Sequence, residues 1–147
     1  MTIREQIIAN IKTGFEGILI TGGYNLDLGN NINIWKATIF EKDSLPGTNI
    51  RDLKNVKKEG GPIGKFRWAL QIEAEVFLAS GANSVTDARK AISDILRCVG
   101  LNYRWGALAI YTEQPDEDEI TMTQENNIIS SVNVIFSVVY DAPKWEM

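Results

Sequence analysis

The chain contains no histidine, a single cysteine, only four prolines and no long uninterrupted apolar run. Without histidine it lacks the commonest general base and metal ligand. Ser-His-Asp and Cys-His nucleophilic catalysis are excluded within this chain alone. His-containing zinc sites are excluded too, and one cysteine cannot make a Cys-only site. Cys98 cannot form an internal disulfide, so a reducing compartment, the cytoplasm, is expected. No membrane span is expected. The opening Met1-Thr2-Ile3-Arg4-Glu5-Gln6 is polar and amphipathic, without the apolar centre of a signal peptide.

What is present is ordinary in amount and uneven in arrangement. The 147 residues, 44% hydrophobic and 23% charged, predict one soluble domain spanning 1–147. Residues 1–104 carry 14 Lys/Arg and 11 Asp/Glu, a net of +3; residues 105–147 carry one Lys and 8 Asp/Glu, a net of −7. The overall −4 argues against general nucleic-acid binding through a basic surface.

The strongest local pattern is Lys65 to Leu78. Phe66, Trp68, Leu70, Ile72, Ala74, Val76 and Leu78 share one parity; Lys65, Arg67, Gln71, Glu73 and Glu75 dominate the other. This predicts a strand with one buried and one wet face. Thr2 and Glu5 form a capping box, and Ile3, Ile7, Ile11, Phe15 and Ile18 recur at helical spacing. That first helix is expected to end before Gly22-Gly23, with Gly14 and Gly17 allowing close approach to the sheet. Tyr24 to Asn31 reads as a loop. Ile32 to Glu41 reads as a strand apolar on both sides. Asp43 to Gly64 reads as a long polar loop, in which Ile50 and Leu53 allow a short strand. Ser80-Gly81-Ala82-Asn83 is a turn, and Ser84 caps a second helix running to Val99. Ala107 to Thr112 is a strand, Glu113 to Asn127 an acidic connection, and Ile128 to Tyr140 a final strand apolar on both sides. The expected fold is α+β, a mainly antiparallel sheet with two helices packed on one face.

Candidate sites are few. Glu113, Asp116, Glu117, Asp118 and Glu119 place five carboxylates in seven residues. They suit a solvated loop, a divalent cation, or the lining of a pore, where they would repel DNA phosphates. Crowded around an axis they would oppose assembly at low ionic strength. Arg51, Lys54, Lys57 and Lys58 form a mild basic cluster that suits solubility or contact with an acidic partner. Gly60-Gly61-Pro62-Ile63-Gly64-Lys65 lacks the spacing, the Ser/Thr and the following helix of a phosphate loop. Glu73 and Glu75 share a strand face without a predicted cleft. Trp35, Trp105 and Trp145 are candidates for an interface or for core packing. Neither a catalytic set nor a cofactor or metal site is expected.

The order and spacing of these elements resemble the tail terminator, or tail-completion, proteins of long-tailed bacteriophages. The residues that carry the resemblance are the Met1–Ile8 helix opening and Leu45-Pro46-Gly47 before an extended stretch. With them go the Phe66–Leu78 strand, the Ser84–Val99 helix, and the Ile128–Tyr140 strand with its apolar-Phe-apolar-Tyr finish. The resemblance implies a homo-oligomeric ring, usually a hexamer, at the head-proximal end of the tail tube. It would stop tube growth and provide the head-joining surface by steric, non-catalytic means. The implied partners are the tail tube protein and a head-completion or connector protein, with DNA passing through the lumen unbound. The implied location is the virion tail, assembled in the host cytoplasm. The alternatives are another head-tail connector or baseplate-proximal tail protein, or a small divalent-metal-dependent enzyme using the 113–119 carboxylates.

Overall fold

Alternation along one long strand decides the architecture. The computed structural model describes residues 1–38, 40–79, 84–113, 117–125 and 128–145, with backbone alone for residues 42, 117, 122–125 and 128–130. In chain order these form α1 (Ile3–Glu16), β1 (Ile32–Ile34), β2 (Gly47–Lys58), β3 (Lys65–Ala79), α2 (Ser84–Leu101), β4 (Tyr111–Thr112), β5 (Glu117–Glu125) and β6 (Ile128–Pro143). Short 3-10 turns occupy Ile20–Gly22, Leu28–Asn30 and Lys42–Ser44. The sheet order is β1-β2-β3-β6-β4, with β5 also pairing β6. Among the described residues only the β1–β2 pair is parallel. The fold is α+β with two helices and a mostly antiparallel sheet, as the sequence predicts.

Leu70, Ile72, Ala74 and Val76 of β3 lie opposite Val138, Phe136, Val134 and Val132 of β6, and all are fully buried. They form one core with Ile7, Ile8, Ile11 and Phe15 of α1 and Ala88, Ala91, Ile95, Cys98 and Val99 of α2. In β3 and β6, side chains of even number therefore face both helices and those of odd number face away; in β2 a bulge between Asp52 and Lys54 reverses the parity from Lys54 onward.

The capping box forms as expected: Glu5 N–H donates to Thr2 Oγ1 (3.1 Å), and Thr2 N–H donates to Glu5 Oε2 (2.7 Å). The helix stops at Glu16, earlier than the sequence predicts, and Gly17 caps it. Gly14 admits a side chain, not the sheet. A Cβ there would sit 3.1 Å from Trp105 Cζ3, so the indole slides against the helix. Close approach also explains Gly29, whose N–H donates to Ile18 O (2.8 Å). An added Cβ there would lie 2.3 Å from Glu16 O.

Four expectations are corrected. Ile32–Glu41 does not continue as a strand: Trp35 takes φ 49° and the chain leaves the sheet after Ile34. The 43–64 segment is not a long loop. It contains the twelve-residue β2, paired with β3 from Gly47 to Lys58. Its polar sequence is a poor strand former, and pairing with β3 overrides that preference. Ala107–Thr112 shrinks to the two residues of β4, because turns at Trp105, Gly106 and Ala107, all with positive φ, occupy its start. The acidic 113–127 connection contains β5, which takes up the edge of β6. The expected turn at 80–83, together with Ile39 and Asp116, lies outside the described residues. Ser84, expected as a cap, is the first residue of α2, a one-residue difference in boundary.

Asp94, in the middle of α2 and 1% exposed, holds the loop that follows the 3-10 turn at Ile20–Gly22. Its carboxylate accepts from Asn25 N–H (3.0 Å), Asn25 Nδ2 (3.1 Å) and Leu26 N–H (2.9 Å). Asp94→Ala leaves two backbone donors without their acceptor and is expected to cost about 2 kcal/mol or more. Asp94→Asn, which keeps one acceptor oxygen, should cost less. Urea unfolding checks this through a lower midpoint at unchanged slope.

Candidate functional site

The helix-free face of the sheet carries several of the ion pairs among the described residues. Arg51 on β2 lies opposite Glu73 on β3, two residues from Glu75. The Arg51 guanidinium pairs with Glu73 and also donates to Glu75 Oε1 (3.2 Å). Asn49 lies opposite Glu75, and Glu75 opposite Asn133. Arg51 Nε and Asn133 Oδ1 are buried atoms with no hydrogen-bond partner among the described residues.

A strap crosses one end of this face. Lys36 N–H donates to Asn49 Oδ1 (2.8 Å), and Asn49 Nδ2 donates back to Lys36 O (3.4 Å). Phe40 packs on Phe77 with ring centroids 5.3 Å apart, and its ring occupies the space above Gly47. Between strap and sheet lies a cavity of about 180 Å³, lined in part by Asn49, Arg51, Glu75 and Phe77. At the other end, Lys58 of β2 reaches Glu113 just beyond β4. This pair spans the two intervening strands, β3 and β6.

The structure separates the basic cluster that the sequence grouped. In a strand neighbours alternate faces, and the bulge between Asp52 and Lys54 shifts that alternation by one residue. Arg51 joins Glu73 and Glu75, Lys54 and Lys58 point to the open face, and Lys57 points to the helix side. There its ammonium lies 4.2 Å from the Phe66 ring centre. The acidic cluster is also divided. Glu113 is paired with Lys58, and Asp118 and Glu119 sit exposed on β5. Glu117 is the first residue of β5. The Arg51–Glu73–Glu75 group is not legible as a unit in the sequence, which shows only a short strand around Ile50 and Leu53 and not its full length or its pairing with β3. The available signal was the Gly60–Gly64 connection, short enough to join two paired strands.

Of the tryptophans, Trp105 is 2% exposed and packs against Phe15 and Phe136 at 6.3 Å from each, a core position in this chain. Trp35 is half-exposed at the β1 edge and its Nε1 donates to Asp52 Oδ1 (2.6 Å). Burial alone would raise the Asp52 carboxyl; the Trp35 indole and the Arg4 guanidinium outweigh it and hold it below its ordinary value. Trp145 is 90% exposed, beside Phe66.

No group of three or more His, Cys, Asp or Glu placed to hold a metal occurs among the described residues. The Cys98 thiol is buried, and that burial pushes it up to about 11. At neutral pH it is a thiol packed against Gly14 O, not a nucleophile.

Burial pushes the Glu75 carboxyl above its ordinary value; Arg51 opposes this and Glu73 adds to it. A raised carboxyl favours the folded state below its unfolded value and loses that advantage as pH rises through the folded value. Glu75→Gln mimics the protonated form at every pH. The stability of the native protein relative to this variant should therefore improve as pH falls toward 4.5, the ordinary carboxyl value. Paired urea titrations between pH 7 and pH 4.5 test the sign.

No protein-family model matches the chain, and no curated protein matches it in sequence. One similar solved structure is a chain of a particle described as the virion of a native gene transfer agent. Its TM-score is 0.51 at 9% identity, covering 91% of this chain and 93% of that chain. At that identity the likeness is one of fold, and it spans nearly the whole of both chains.

Proposed function

We propose that this chain is a structural subunit of a phage-like virion tail. In this reading it forms a ring that ends tail-tube growth and provides the head-joining surface. The observation that carries the reading is the fold shared, over nearly the full length of both chains, with a component of a gene transfer agent virion. The sequence resemblance to tail terminator proteins points the same way.

The mechanism is steric. One ring face copies the docking surface of the tube and accepts the last tube ring. The opposite face does not, so addition stops and a connector protein binds instead. No bond is made or broken, which suits a chain without histidine or a reactive thiol. A neighbouring structural component of the same kind of particle is the alternative reading, because the likeness names the particle and not the position within it.

Sedimentation of the purified chain across a concentration series at low ionic strength is the test. The expected result is a closed oligomer, with six copies the first expectation. Labelling with antibody on intact particles should mark the head-proximal end of the tail. A strictly monomeric mass in every condition, with no label on tails, would overturn the reading; label at the baseplate end would favour the alternative.

A further inference from the structure

The sheet has two unpaired edges. On the outer side of β2, β1 covers only Thr48–Ile50, and among the described residues no strand pairs the stretch from Leu53 to Lys58. At the opposite side β5 pairs β6 alone, so its outer backbone groups are free of strand partners among the described residues. Exposed edges of this kind are templates for another chain.

Strand direction restricts what each edge accepts. β2, β3, β6 and β5 alternate in direction, every neighbouring pair being antiparallel. Four is an even number. A second copy placed in the same orientation therefore sets its β2 antiparallel to the β5 of the first. The alternation continues, and the helices of both copies stay on one side. A two-fold arrangement could instead pair β5 with β5 or β2 with β2.

Charge chooses between these arrangements. The free part of β2 carries Lys54 on the open face and Lys57 on the helix face. β5 carries Glu119 on the open face and Asp118 on the helix face. Pairing β5 with β2 sets opposite charges near one another on both faces. Pairing either edge with itself opposes like charges, which destabilises a cross-strand contact. Lysines are a common guard against random edge pairing; beside an acidic edge the same lysines select a partner.

We propose that a second copy of this chain occupies the β2 edge through its β5, so that head-to-tail strand pairing builds the oligomer. This rests on the ring reading above and supplies its interface. The contact is heterologous, as a ring requires. Lys54–Lys58 of the free stretch lie level with Ser137–Asp141 of β6, whereas Glu117–Met122 of β5 lie level with Ser130–Ile135. Successive copies are thus staggered by about six residues along the strands, in the manner of a closed sheet. Salt should weaken this contact, the reverse of the effect expected from carboxylates crowded at an axis.

Complementary charge reversal tests it. One variant carries Lys54→Glu and Lys57→Glu; the other carries Asp118→Lys and Glu119→Lys. All four positions are exposed, and circular dichroism verifies folding. Each variant alone should need at least roughly tenfold more protein to assemble than the native chain. An equimolar mixture should assemble like the native chain, because every β5–β2 contact in an alternating ring is then complementary. If the native chain assembles and both variants match it, or if the mixture fails to recover, the strand-pairing interface is wrong and the ring reading stands. If the native chain stays monomeric in every condition, both fall.

Discussion

One-sided burial of the β3–β6 pair governs this molecule. Fifteen residues of β3 run beside the sixteen of β6, and their even-numbered side chains meet under two helices. Transfer of that apolar surface from water is the dominant favourable term. Everything else is arranged around it. α1 and α2 exist as covers for one face, Asp94 ties the loop after the first helix to the second, and Gly14 makes room for the Trp105 indole at the end of the core. The cost of this solution is a second face covered only in part, by the strap that carries Lys36 and Phe40, and two edges without strand partners among the described residues.

That arrangement accounts for the polar chemistry on the other side. Ion pairs such as Arg51–Glu73, Lys58–Glu113 and Arg67–Asp141 link strands across the open face or bridge over it. They are half-exposed and contribute modestly to stability. Their larger effect is to fix which groups remain available. Glu113 and Lys58 neutralise one another, leaving Lys54 and Lys57 at one edge and Asp118 and Glu119 at the other.

The sequence made the buried half of the structure legible and obscured the exposed half. β3 and both helices were readable because burial imposes a period on apolar residues, and the Thr2–Glu5 box marks its own position. β2 was not readable. Its only large inward aliphatic residue is Ile50, and the inward-pointing Asn55 donates through Nδ2 to the Tyr140 hydroxyl at 2.8 Å while its Oδ1 has no partner among the described residues. A strand held by its neighbours carries little periodic signal of its own. β5 was hidden for the same reason, its opening Glu117-Asp118-Glu119 reading as a loop. The candidate surface inherits this split: its charged residues were visible individually, but their grouping depends on β2 and β5 being strands. Trp105 shows the reverse case, an aromatic equally suited to core or interface until its packing against Phe15 and Phe136 is seen.

In the proposed assembly, this sheet is completed by copies of itself in a tail-like particle. A cryo-electron microscopy reconstruction of tails containing the chain tests that most directly. The account predicts a single ring of copies at the end of the tail tube, with the sheets joined edge to edge and all helices on one side. A lone copy, or copies arrayed along the tube with their sheet edges apart, would contradict it.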